Sequence, residues 1–414
     1  NQRNSQSRDG GSILRFVPSD NSVGVMRAFD RAAYSDVDVY DRELVYVPVA
    51  KAGPEGYILD IFRVSGGSRH EYALNMCADH DYELTTDIKW QYQSETMLPE
   101  GVKYTKPTGE SDSGNASGHY TAYMFVKDVQ SAELKDQPYK ISYKITEDGL
   151  IKNVGLNIFG TDNTGELLMG KVPSMRATRK STTYDLNDQC DDYQMDKMVL
   201  RREGENLDSC FVTLMEPFSE KYKATVTDVE KLSIKGVHEF DIAVKVTGEG
   251  FTDYIFSAYQ EDMEVMVDNI HFKGQFGYVR IQDRKAVVMQ SLNADVLSYD
   301  NAYVPKNRSV SGVIKDVLVE TEGDELNGFV TDVKPDEGLK GQYVIVKHPD
   351  HTYTGYKIKG IVENGGVCII DIGDAEPGFD FVGAEHTKMM YYPHKERKGV
   401  TEFTIEDTGI VRAE

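Results

Sequence analysis

From Ile13 onward the chain runs through short stretches in which apolar and polar residues alternate, each closed by Gly, Asn, Asp or Pro. Successive side chains of a strand point to opposite faces, so this period-two pattern predicts strands with one face buried. It places strands at Ile13–Val17, Val23–Phe29, Glu43–Pro48, Tyr57–Val64, Glu71–Met76, Thr121–Val126, Lys140–Thr146, Val154–Phe159 and Glu166–Met169. It continues through Met198–Arg202, Cys210–Met215, Thr225–Leu232, Phe240–Val246, Tyr254–Ala258, Gly277–Gln282 and Ala286–Leu292. Strands in such quick succession, with turn signals between them, have the rhythm of a sandwich. No long stretch carries a 3.6-residue period, and only Val129–Lys135 suggests a short helix.

Around Tyr303–Arg308 the texture changes and shorter strands follow: Gly312–Glu320, Phe329–Val333, Tyr343–Lys347, Tyr353–Lys359, Gly366–Ile372 and Met389–Tyr392. The expected fold class is all-β: a large antiparallel multi-sheet β-sandwich over 1–303, then a small C-terminal β-domain over 304–414. Asn1–Gly11 is polar and rich in Gly and Ser, a flexible entry. Leu98–Gly118 is a polar, Pro/Gly/Ser-rich insertion without periodicity, and a loop that long is either functional or disordered.

Composition agrees with strands. The 414 residues include 25 Tyr, and Val, Ile and Thr are abundant. With 68 acidic against 46 basic residues the net charge is −22. Nucleic acid is therefore not an expected partner, because binding it needs a basic footprint. An acidic polymer would need a local basic cleft, for which Lys171, Arg176, Arg179, Lys180, Arg201 and Arg202 are the candidates. A solvated charged face is the competing reading.

Four cysteines, Cys77, Cys190, Cys210 and Cys368, are too few for a disulfide scaffold of this size. Cys210 and Cys368 sit among apolar strand residues and read as buried thiols. Cys77 and Cys190 lie in looser segments, where pairing stays open. No Cys-x-x-Cys occurs, and neither a metal nor a cofactor is expected.

Two segments carry a family resemblance. The first is Tyr57-Ile-Leu-Asp-Ile-Phe-Arg-Val-Ser-Gly-Gly-Ser-Arg-His-Glu-Tyr-Ala-Leu-Asn75, a strand, a Gly66-Gly67 turn and a returning strand. The first strand is apolar on both sides except for Asp60 and Arg63, charges that need fixed partners if buried. The second is Val199-Leu-Arg-Arg-Glu-Gly-Glu-Asn-Leu-Asp-Ser-Cys-Phe-Val-Thr-Leu-Met-Glu-Pro-Phe218. Both resemble hairpins in the β-sandwich region of heparinase II/III-like polysaccharide lyases. Ala33-Tyr34 with Tyr40-Asp41-Arg42, and Gly170–Arg176, fall in the order that the family shows. The resemblance covers residues 10 to about 300 well and the remainder more loosely.

The resemblance implies a protein that degrades uronic-acid-containing glycans by β-elimination, periplasmic or secreted. In that family an N-terminal α-helical toroid and the first sandwich strands carry the catalytic Asn, Tyr and His. Asn1-Gln2 looks like the residues that follow the family's His-Asn-Thr strand. The sequence also lacks an initiator Met, a charged and apolar leader and any run long enough to span a membrane. The expectation is a C-terminal portion with no catalytic residue of its own, inactive without the toroid as its partner. A free-standing carbohydrate-binding or scaffolding sandwich is the alternative.

If residues here reach an acidic polysaccharide, the candidates are Arg69, His70 and Tyr72. Arg69 offers a bidentate cation to a carboxylate, and alternation puts His70 and Tyr72 on one strand face. The competing reading makes His70 a hydrogen-bonded residue at the sandwich edge and Tyr72 part of the core. Asn75 stands where relatives often have a second His. Trp90, the only tryptophan, shares an alternating stripe with Ile88 and Tyr92 that suits either a core or a sugar platform. Asp185, Asn187, Asp188, Asp191 and Asp192 form an oxygen-rich cluster, and His348, Asp350 and His351 hold metal-ligand types at a turn. Solvated connections account for both more simply.

Overall fold

A computed structural model describes residues 11–19, 22–49, 55–98, 101–103, 123, 125–135, 138–146, 149, 151–161, 164–176 and 192–413. The chain is all-β and built from antiparallel sheets. Its helical elements with defined ends are two 3-10 turns, Glu320–Glu322 and Glu337–Leu339. It groups into two compact units: Arg31–Tyr40 with Ala52–Val229, and Arg8–Asp30, Asp41–Lys51 with Glu230–Glu414.

The chain opens with β1 (Ser12–Val17), β2 (Gly24–Phe29) and β3 (Val37–Pro48). The first unit continues with β4 (Gly56–Gly66), β5 (Arg69–Asn75), β6 (Tyr82–Thr86), β7 (Tyr92–Thr96) and β8 (Lys127–Lys135). It closes with β9 (Tyr139–Ile145), β10 (Gly155–Gly160), β11 (Thr164–Pro173), β12 (Gln194–Glu203) and β13 (Asp208–Phe218). Two layers form, ordered β4-β13-β10-β9-β6 and β5-β12-β11-β8-β7. Phe62, Ile141, Ile158 and Phe211 of one layer meet Tyr72, Leu167, Met198 and Leu200 of the other in a common core. This is the sandwich that the alternation predicts.

The outer face of the β5-β12-β11-β8-β7 layer carries a second apolar cluster. Val129, Leu168 and Val199 on its strands are covered by Met97, Leu98, Tyr123 and Val126. Leu98, where the expected insertion begins, and Tyr123 and Val126, beyond its end, pack on this face, while 104–122 lie outside the described residues.

Val129–Lys135 is not a helix but part of β8, an interior strand bonded to β11 on one side and β7 on the other. Its Glu, Leu, Lys and Gln favour helix, yet two ladders of hydrogen bonds and burial of Val129 and Ala132 outweigh propensity. Met389–Tyr392 is likewise corrected. The strand ends at Met389, and Tyr391 and Tyr392 sit in an exposed turn.

The short β14 (Val226–Lys231) leads from one unit toward the other. In the second unit, β15 (Ile242–Gly248), β16 (Phe251–Ser257), β17 (Met263–Val267), β18 (Ile270–Gln282), β19 (Lys285–Tyr299) and β20 (Ala302–Val304) form one sheet in the order β15-β16-β18-β19-β20, with β17 on β18. The later strands are β21 (Val310–Leu318), β22 (Asn327–Thr331), β23 (Tyr343–Lys347), β24 (Tyr353–Lys357), β25 (Gly360–Asn364) and β26 (Val367–Gly373). After these come β27 (Phe379–Gly383), β28 (His386–Met389), β29 (Glu396–Lys398), β30 (Glu402–Ile405) and β31 (Thr408–Arg412). They make a seven-stranded sheet, β24-β23-β30-β21-β22-β26-β25, and a three-stranded one, β27-β28-β29. Ile314, Phe329, Phe379 and Phe403 share a core there, separate from the Phe256–Phe272 core of the preceding sheet. The last strand, β31, pairs back onto β19.

An ionic layer is buried in the second unit. Arg27 Nε donates to both carboxylate oxygens of Asp41, at 3.0 and 2.9 Å. Arg15 Nε donates to Glu406 at 3.0 Å and its Nη2 to Gln275 at 2.7 Å, while Nη1 lies 3.7 Å from Glu43. Ser257 Oγ donates to the other Glu43 oxygen at 2.7 Å.

Candidate functional site

The two motif hairpins lie against each other. β4 runs in register with β13, from Ser65 opposite Asp208 to Ile58 opposite Met215. β5 runs in register with β12, from Arg69 opposite Glu203 to Asn75 opposite Lys197. Their turns interlock through backbone bonds from Gly66 N to Leu207 O (2.9 Å), Leu207 N to Gly67 O (3.2 Å) and Gly204 N to Ser68 O (3.1 Å). Gly66 has φ +95°, and a Cβ there would fall 2.6 Å from the Asp36 carbonyl, so both conformation and space require glycine.

The interior charges of β4 are fully buried. Asp60 accepts from the Tyr72 hydroxyl at 2.9 Å, which supplies one of the fixed partners that a buried carboxylate needs. Tyr72 stacks on Phe211 with ring centroids 5.9 Å apart. His70 is 4 % exposed, with Nδ1 3.0 Å from Ser209 Oγ and Nε2 against the Gly66 carbonyl. Burial holds its pKa below the usual histidine value. His70 and Tyr72 do share a strand face, and that face is the interior. Arg69 points the other way and pairs with Glu203, Nε to Oε1 2.6 Å, at the surface.

Substitutions should separate these roles. Tyr72→Phe removes a hydrogen bond to a buried carboxylate and is expected to cost about 1–3 kcal/mol. Arg69→Ala breaks only an exposed pair and should leave Tm unchanged. Thermal unfolding of the two variants checks this. Equal shifts would contradict the difference in burial.

The outward face of the same sheet holds the polar chemistry that the sequence does not reveal. Antiparallel register lines up Glu133 of β8, Glu166 of β11, Arg201 of β12 and Glu71 of β5 in one cross-strand row. Arg201 Nε donates to Glu71 at 2.7 Å, and its Nη1 lies 3.6 Å from Glu166. Its guanidinium lies over the Tyr123 ring, 5.4 Å from the centroid, and the Tyr123 hydroxyl donates to Glu71. Beside this row is a cavity of about 340 Å3 lined by Glu133, Leu134, Gly165, Glu166, Arg201 and Glu203. Burial lowers the pKa of Lys197 on the same strand, where Nζ donates to Asn75 at 3.3 Å. Alternation gives which residues face outward, but not which strands become neighbours. The row was therefore missed.

The other candidate cations are engaged. Lys171 pairs with Asp196 at 2.9 Å, and Arg176 with Asp81 at 2.7 Å while covering the Tyr193 ring. Arg202 lies over Phe211. Arg179 and Lys180 lie outside the described residues, as do Asp185, Asn187, Asp188, Cys190 and Asp191. Cys210 and Cys368 are buried thiols. Trp90 and Ile88 pack against the sandwich core from the irregular link between β6 and β7, while Tyr92 is 62 % exposed, so the three do not share one surface.

His348 is 2 % exposed, with Nε2 3.0 Å from Thr354 Oγ1 and its ring against Phe379. Asp350 is held by Arg397 (2.9 Å) and Lys395 (3.0 Å), and His351 is exposed with φ +62°. These are the contacts of a tied turn. Among the described residues no group of three or more His, Cys, Asp or Glu is arranged to hold a metal ion, and no helix is long and apolar enough to cross a membrane.

No protein-family model matches this sequence, and no curated protein is significantly similar to it.

Proposed function

We propose that this chain is the β-sandwich portion of a heparinase II/III-like polysaccharide lyase that degrades uronic-acid-containing glycans by β-elimination, in the periplasm or outside the cell. The carrying observation is the pairing of the two motif hairpins. Segments 57–75 and 199–218, far apart in sequence, lie strand to strand and turn to turn. A resemblance carried by two motifs gains weight when both belong to one structural unit.

The elimination itself is assigned elsewhere. Removing the proton α to a uronate carboxylate needs an accessible base and a group that holds the developing charge. His70 and Tyr72 are buried and committed to Ser209, Gly66 and Asp60. By resemblance, the base and its partners belong to an α-helical toroid and a His-Asn-Thr strand, which no stretch of this sequence matches.

The chain alone, incubated with uronic-acid polysaccharides, is expected to give no rise in the ultraviolet absorbance of unsaturated uronate ends. Robust turnover would show that the active site lies within these residues. The coding sequence before Asn1 tests the assignment independently. A helical-toroid region ending in a His-Asn-Thr strand supports it, and a signal peptide directly before Asn1 points to a free-standing carbohydrate-binding sandwich.

A further inference from the structure

We propose that the cavity beside Arg201 is a subsite for an uncharged, hydroxyl-rich sugar residue. It extends the glycan assignment above and rests on it. The cavity is formed by three adjacent bonded strands, β8, β11 and β12, so its lining is held by the sheet and not by loops. Its volume, about 340 Å3, falls within the range of small-molecule sites, roughly 300–1,000 Å3.

Arg201 is fixed before any ligand arrives. Glu71 and Glu166 flank it and the Tyr123 ring supports it, so little side-chain entropy remains to be lost on binding. Each carboxylate lies beside a cation, Glu133 beside Lys135 at 3.1 Å, Glu166 beside Arg201 at 3.6 Å and Glu203 on Arg69, yet each still faces solvent. The side chains of Glu133, Glu166 and Glu203 are 57, 39 and 54 % exposed. Carboxylates accept strong, charge-assisted bonds from hydroxyl groups. Glu133 and Glu166 stand directly opposite each other across β8 and β11, a like-charge pair that Lys135 and Arg201 offset from either side. Hydroxyl donors from a sugar would bond the lone pairs that these cations leave exposed.

Charge decides which sugar. Around the cavity, Arg69, Lys135 and Arg201 stand against Glu71, Glu133, Glu166 and Glu203, so the set is nearly balanced with carboxylate in slight excess. A uronate placed there would add a further anion beside open carboxylates. The neutral residues of a mixed glycan fit this lining, and the uronates belong elsewhere.

The test is calorimetric titration of the full chain with cellotetraose, mannotetraose and xylotetraose as neutral probes and with tetragalacturonate as the acidic one. At least one neutral probe is expected to bind, with tetragalacturonate weaker. Glu133→Gln and Glu203→Gln, both at exposed side chains, should each weaken binding about tenfold without moving Tm. Absence of binding by every neutral probe overturns the proposal. So does binding that survives the Glu133→Gln/Glu203→Gln double variant, or tetragalacturonate binding as tightly as the best neutral probe. The lyase assignment fails separately: neutral-sugar binding at this cavity in a protein whose complete coding sequence lacks a toroid would remove the lyase and leave the subsite.

Discussion

Arg15→Met is expected to cost about 3–5 kcal/mol of folding free energy, because it removes the cation bonded to Glu406 and leaves that buried carboxylate without it. Arg15 is 2 % exposed, and its guanidinium reaches Glu406, Gln275 and Glu43 from three separate segments of the second unit. Desolvation alone would depress its pKa. The facing carboxylates of Glu406, Glu43 and Asp41 outweigh it and raise the value instead. Glu43 is fully buried and keeps both the Ser257 hydroxyl and Arg27, whose Nε lies 4.0 Å away, so the charge left stranded is that of Glu406. The companion variant Arg15→Met/Glu406→Gln should recover part of the loss, since it removes the stranded carboxylate. Thermal and denaturant unfolding provide the measurement. A Tm within about one degree of the parent would mean that water reaches the cluster and that these ions are effectively solvated.

Acid should destabilise the second unit through His348. Burial, reinforced by the Arg397 guanidinium and only partly offset by Asp350, pushes its pKa down to about 4. The folded chain therefore keeps the ring neutral where the unfolded chain, titrating near 6.5, has already taken up a proton. The resulting stability is fully present above pH 6.5 and is lost as pH falls toward 4, a loss of about 3 kcal/mol at 1.36 kcal/mol per pKa unit. The groups facing His348 are Thr354, Phe379, Arg397 and Asp350. Asp350, whose carboxyl is held below its usual range by Thr352, Arg397 and Lys395 despite burial, acts in the same direction but in a lower window, below its unfolded value of 3.8. His348→Gln should flatten the dependence between pH 6.5 and 4 and leave the Asp350 window in place. An unchanged slope in that variant would assign the acid lability to other groups.

Both effects come from residues that the sequence presents as ordinary. Arg15 alternates with Ile13 and Val17, and Arg27 with Val23, Val25 and Phe29, so each is a charge set on an apolar strand face whose partners the sequence does not name. In the folded chain those positions are 2 and 3 % exposed and meet Glu406, Gln275 and Asp41. His348 reads as part of a solvated turn and is instead buried against Phe379, with Nε2 on Thr354.

What the sequence determined by itself was local. Period-two alternation, β-branched and aromatic residues and the Gly, Asn and Asp turns identify strands, since a strand needs only its own pleat and one apolar face. The Gly66-Gly67 hairpin and the strand β4, apolar on both faces apart from Asp60 and Arg63, were legible for that reason. The same local signals misplaced Val129–Lys135 and Met389–Tyr392, where neighbouring strands or a turn decided the outcome.

Only the tertiary structure decided which strands became neighbours and which faces turned inward. One residue of register exchanges the two faces of a strand, and nothing local records the register between β5 and β12 or between β8 and β11. That is why His70 and Tyr72 lie in the interior, and why Glu133, Glu166, Arg201 and Glu71 form one row on the opposite face. Composition could count these charges. Their pairing depends on strand contacts spanning more than a hundred residues of chain, and these exist only once the sheets have formed.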